Sequence, residues 1–97
     1  MARESRPRYG IVRSPQELGA IARAHRKSRG LTLEQTAGVG ALGIRFLSEL
    51  ERGKPTAQLG KALEALRLLG LEVIVVRRSE ADRLERALAQ EASDADR

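Results

Sequence analysis

Glycine stands at positions 30, 43, 53 and 70, and between these breaks the apolar residues recur at helical spacing. Glycine is costly inside a helix and favoured just past its end, so the chain is cut into short helices. The unit from Gly43 to Gly53 organises the rest. Gly43 suits an N-cap, and Gly53 suits the left-handed position beyond the last turn. Leu47 and Leu50 share one side and mark the inward face. Arg45, Glu49 and Arg52 form an outward stripe, and Phe46, the one phenylalanine of the chain, borders it. Two readings are open at Phe46. It is a core residue beside a surface Arg45–Glu49 pair, or its ring meets thymine methyl groups on DNA.

The flanking units follow the same rules. Ser14, Pro15 and Glu17 make a capping box with proline at the first helical position, starting a helix that runs to about Arg29. Leu18, Ile21, Ala22 and His25 form its inward stripe, with His25 read as a half-buried spacer. Arg23, Arg26, Lys27 and Arg29 give it a basic side. Thr32 and Gln35 make a second capping box for a helix ending near Val39. Ala37 is small enough to let that helix approach the Gly43–Gly53 helix closely, across a connection rich in glycine. Two short helices joined this way form a helix-turn-helix, whose second helix enters a DNA major groove. Beyond Pro55, Thr56 can cap a helix whose stripe is Leu59, Ala62, Leu63, Leu66 and Leu69, ended by Gly70.

The period then changes. Residues 71–77 carry a β-branched run and read as a strand. A lone strand leaves its ladder groups unpaired. Pairing with the same strand of a second copy makes Leu71, Val73, Ile74, Val75 and Val76 the dimerisation residues; pairing with Tyr9–Arg13 in the same subunit competes. Ser79 can cap a last helix with a thin stripe of Ala81, Leu84, Leu88 and Ala92, fraying over residues 93–97. Its roles divide between packing on its own dimer and binding a partner. The expected fold is mainly α: four or five helices with one C-terminal strand, paired across a homodimer. Residues 1–13 form a basic arm, 14–70 the helix-turn-helix domain, 71–78 the dimerisation strand and 79–97 an acidic helix or tail.

Charge supports a division of partners. The net charge is +5. Residues 1–29 carry eight Arg or Lys against two acids, whereas residues 79–97 carry three against six. A basic end and an acidic end suit different partners, the first a polyanion. The arm, with Arg3, Arg6 and Arg8, is either a phosphate-tracking segment or an ordinary terminus. The chain has no cysteine and one histidine, so neither a disulfide framework nor a thiolate metal site is available. No cofactor and no metal are expected. No apolar run reaches membrane-spanning length and no signal peptide is read, so the expected location is cytoplasmic, at the nucleoid.

Gly30, Thr32, Ala37 and the run from Leu47 to Gly53 resemble the XRE (Cro/lambda-repressor-like) helix-turn-helix family. The run from Ile44 to Thr56, followed by a leucine-rich helix and a strand, looks most like its HipB-type antitoxin branch. The similarity covers about residues 14–77. The resemblance implies that Gly43, Ile44, Arg45 and Glu49 reach base edges, where Phe46 is also placed. It implies phosphate contacts from Thr32, Ser48, Arg52 and Lys54. It further implies a buried ion pair, Arg26–Glu51, joining the first helix to the recognition helix. Leu33 stands where the family usually has a phosphate-contacting glutamine. Thr36 and Ala41 replace the usual leucine and turn glycine.

The leading expectation is a repressor that binds a palindromic DNA operator as a homodimer and serves as antitoxin to a HipA-like kinase toxin. A stand-alone, phage-type regulator shares the DNA-binding step without the toxin. A protein-interaction module with a merely solvated basic face is the reading from another class. An enzyme fits least, since paired carboxylates in a pocket-like context and a phosphate-cradling glycine loop are missing.

Overall fold

A computed structural model describes residues 7–39 and 42–95, which form five helices: α1 (Pro15–Ser28), α2 (Leu33–Val39), α3 (Ile44–Glu51), α4 (Leu59–Leu69) and α5 (Arg78–Ala95). Arg3 and Arg6 of the basic arm, and Ala41 of the turn, lie outside the described residues. Ser14 Oγ accepts the Glu17 N–H at 3.0 Å and Pro15 opens α1. The reciprocal half of that box differs from expectation, because the Glu17 carboxylate accepts from the Arg13 N–H at 2.5 Å. At α2 the box closes fully: Gln35 N–H to Thr32 Oγ1 is 3.0 Å and Thr32 N–H to Gln35 Oε1 is 2.8 Å. Gln58, rather than Thr56, caps α4, its side chain accepting the Lys61 N–H at 2.6 Å. Ser79 lies inside α5 rather than capping it, and the backbone helix continues through Ala95.

Three helices end in the same way. Gly30 and Leu31, Gly53 and Lys54, and Gly70 and Leu71 each donate back to carbonyls three and five residues earlier. This paired closure satisfies the last carbonyls and needs a left-handed residue at the turn. Gly53, at φ +83°, meets that need. A side chain there would also strike α1, since a Cβ would lie 2.7 Å from Gln16 Cα.

α3 packs against α1 and α2, and α4 closes over the same two helices. Leu42, Leu47, Leu50, Ala62 and Ala65 form one buried cluster; Ala22, Leu66 and Leu69 form another. The α4 stripe is therefore centred on Ala62, Ala65, Leu66 and Leu69, while Leu59 and Leu63 face outward. α1 meets α3 through Gly19, where a Cβ would sit 2.4 Å from the Leu50 carbonyl oxygen. Thr36, in the place of a leucine, is buried with its hydroxyl donating to the Thr32 carbonyl at 3.0 Å.

His25 is a pin rather than a half-buried spacer. It is 8% exposed. Its Nε2–H donates to the Leu69 carbonyl at 2.8 Å, which leaves Nδ1 to accept from the Tyr9 hydroxyl at 2.8 Å. The ring thus ties the segment before α1 to the end of α4.

The expected strand does not form, and the regular structure among the described residues is helical throughout. Leu71 is taken by the closure of α4: its N–H bonds the Leu66 carbonyl at 2.8 Å and its side chain packs on the Leu66–Leu69 cluster. Val73, Ile74, Val75 and Val76 lie exposed in an irregular segment. A ladder requires a partner, and Tyr9–Arg13 is also irregular, so β-branched composition alone does not make a strand. α5 stands largely off the helical core, with residues 82–91 all exposed, although Gly10 lies beside the Glu85 side chain.

Candidate nucleic-acid interface

The exposed side of α3 is built from its buried side. Leu47 and Leu50 face the core at 2% and 5% exposure, and that fixes the rotation of the helix. Arg45 and Glu49, one turn apart, then project outward. The Arg45 side chain is 90% exposed and its Nε donates to Glu49 Oε2 at 3.3 Å. The Lys54 Nζ donates to Glu49 Oε1 at 3.0 Å, and the Lys54 N–H bonds the Glu49 carbonyl, also at 3.0 Å. One carboxylate therefore gathers a cation from the helix and a cation from the following loop. The Lys54 ammonium, and next the Arg45 guanidinium, hold the Glu49 carboxyl below its ordinary range.

The remaining expected residues are distributed around this row. Gly43 is the N-cap of α3 without a side-chain bond, Ile44 is exposed beside it, and Arg52 is the exposed C-cap. Ser48 and Phe46 are half-buried. Phe46 packs against the Leu47 cluster, and the Lys61 ammonium sits 6.0 Å from its ring centroid. The ring of Phe46 is thus partly core, with a cation beside it. Thr32 is exposed, but its side chain is engaged in capping α2. Leu33, in the glutamine's place, is half-buried against the core. Arg23 and Lys27 of α1 and its C-cap Arg29 are exposed, whereas Arg26 turns inward.

Arg26 holds α3 in place. Its Nε and Nη2 bond the two Glu51 oxygens at 2.7 and 3.0 Å, and its Nη1 bonds the Leu31 carbonyl at 2.5 Å. Both side chains are under a tenth exposed. The bond to Glu51 raises the Arg26 pKa further above its high ordinary value. A planar guanidinium suits such a two-point clamp, and the clamp joins α1 to the last turn of α3.

Sequence reasoning does not single out Gly19, Gln58, Lys61 or the Tyr9–His25 bond. Gly19 does carry a signal, being a glycine in the middle of a well-capped helix, where it marks close approach of another backbone.

The chain matches no protein-family model. It is 42% identical over 65 residues to the uncharacterised HTH-type transcriptional regulator y4mF of Sinorhizobium fredii, spanning 67% of this chain and 86% of that protein. The chain belongs to the HTH-type transcriptional regulators. The fold of this regulator is also that of two solved HipB complexes, one with an O4 20mer and one, of a serine-to-alanine HipB variant, with an O2 20mer. Each superposes with a TM-score of 0.67 at 18% identity over 72% of this chain, covering 99% and 97% of the HipB chains. The y4mF relative thus shows the HTH-type family, and the two HipB complexes show a shared fold. Among the described residues, no helix of the regulator is long and apolar enough to cross a membrane.

Proposed function

We propose that this regulator is a sequence-selective DNA-binding repressor that inserts α3 into the major groove of its operator. The observation that carries the reading is the rotation of α3: Leu47 and Leu50 are buried while Arg45, Glu49 and Lys54 line up outside. Arg45 reads a guanine through its outer N–H edge, with Gly43 and Ile44 at the base edges beside it and the exposed rim of Phe46 beside a thymine methyl. Lys54, Arg52, Ser48 and Thr32 contact phosphates, fixing register and supplying most of the salt-dependent affinity. The regulator binds as a homodimer on a palindromic site. The exposed aliphatic side chains of residues 73–76 support a second copy as the surface that covers them.

The antitoxin role, with a HipA-like kinase as partner, rests on the likeness to the HipB branch. A stand-alone regulator is the second reading, and the y4mF relative is named as an HTH-type transcriptional regulator. Co-purification from native cells separates the two, since only an antitoxin brings a kinase with it.

The DNA reading is tested by measuring Arg45→Ala and Lys54→Ala against cognate and scrambled duplexes. Arg45→Ala costs about 1–3 kcal/mol of discrimination at one base pair. Lys54→Ala weakens all duplexes alike and lowers the salt slope by about one. Equal, sequence-independent losses from both changes would refute the division between reading and anchoring.

A further inference from the structure

The Glu49 carboxylate holds two cations that the DNA reading needs for different tasks. Arg45 is the base reader and Lys54 the phosphate anchor, and both are bonded to the same side chain in the free protein. Arg45 reaches Glu49 through Nε. Its outer nitrogens make no hydrogen bond among the described residues, on a side chain 90% exposed, and these are the donors that meet guanine O6 and N7. Lys54 is held by its terminal ammonium, the same group a phosphate would take. DNA therefore draws Lys54 off Glu49, but it has no need to break the bond that orients Arg45. Once Lys54 leaves, the Glu49 carboxylate keeps only its 3.3 Å bond to Arg45 and stands less compensated on the DNA-facing side of α3. That carboxylate repels any phosphate backbone alike.

We infer that Glu49 is a specificity-determining and positioning residue, which lowers affinity for all DNA and restores it only where Arg45 finds a guanine. The inference rests on the DNA-binding reading above and adds a role within it. Specificity is a difference between affinities, and a built-in penalty on the wrong target raises it as surely as a better contact to the right one. Removing the carboxylate frees Arg45 to swing onto phosphates, as a loose guanidinium does. It also frees Lys54 without cost.

The experiment compares wild type, Glu49→Gln, Arg45→Ala and the double variant. The probes are a duplex enriched from a random pool and a scrambled duplex of the same composition, titrated at several salt concentrations. Glu49→Gln is expected to tighten scrambled-duplex binding by roughly three- to tenfold, with a salt slope steeper by about one. The ratio of enriched to scrambled affinity falls by about tenfold, within the range one bidentate base contact supplies. In the Arg45→Ala background Glu49→Gln leaves that ratio unchanged, because the reader it positions is gone. A merely structural Glu49 would weaken both duplexes equally and leave the ratio intact, and that result overturns the inference while sparing the DNA-binding reading. A wild-type protein that binds both duplexes alike refutes that reading, and the inference with it.

Discussion

Gly19→Ala and Gly38→Ala are chemically the same change, and packing gives them opposite signs. Both glycines lie within helices and neither has a positive φ. At Gly38 an added Cβ meets nothing within 4 Å, so alanine gains its ordinary helical advantage of about 0.5–1 kcal/mol. At Gly19 the Cβ would lie 2.4 Å from the Leu50 oxygen, 2.5 Å from the Glu51 oxygen and 2.8 Å from the Glu51 carbonyl carbon. A comfortable carbon–oxygen contact is about 3.3 Å, so the last turn of α3 has to retreat by roughly 1 Å. All three obstructing atoms are backbone, and no side-chain rotation relieves them. Overpacking costs about 1–3 kcal/mol and occasionally more, and the fixed backbone puts Gly19 at the upper end. After subtraction of the helical gain, Gly19→Ala is left destabilised by about 2 kcal/mol, and the two variants differ by about 3 kcal/mol. Urea unfolding followed by circular dichroism measures both. For a domain of this size the melting temperatures should differ by about 12 °C or more. Gly19→Ala as stable as Gly38→Ala would refute the claim that glycine sets the α1–α3 distance.

The Arg26–Glu51 clamp is tested by removing one partner: Arg26→Met costs about 3–5 kcal/mol by stranding a buried carboxylate, and Arg26→Met with Glu51→Leu recovers much of it, both read from denaturation midpoints. Tyr9→Phe removes the hydroxyl that His25 Nδ1 accepts and lowers stability by about 1 kcal/mol; an unchanged midpoint would show that the segment before α1 is not held there. Glu49 has a depressed pKa, so its pairing is complete above the ordinary carboxylate value and is lost as pH falls through the lowered one. A carbon NMR titration of the Glu49 carboxyl should find its midpoint below 4.5, rising when Lys54 and Arg45 are both replaced by alanine.

Much of this architecture is legible in the sequence because it is local. Caps, glycine stops and the Leu47–Leu50 spacing are decided by residues within a turn of each other, and α1, α2 and α3 fall where those signals put them. The outward placement of Arg45 and Glu49 follows from the same rotation. The Arg26–Glu51 bond spans 25 residues and is carried by family resemblance, since no spacing rule joins two helices. Gln58 displaces Thr56 as a cap because α4 begins only at Leu59, which puts Gln58 in the position to accept the Lys61 N–H. The strand expected over residues 71–77 fails because β-branched residues state a preference that only a ladder partner can satisfy. Leu71 is already claimed by the closure of the preceding helix.

Selection of bound duplexes from a random DNA pool at near-physiological salt is the decisive test of sequence-selective binding through α3. An inverted repeat with half-sites about one helical turn apart is expected, with a guanine in each half-site whose preference disappears in Arg45→Ala. Recovery of no enriched sequence would contradict it, and would leave the row of Arg45, Glu49 and Lys54 as a solvated ion-pair network.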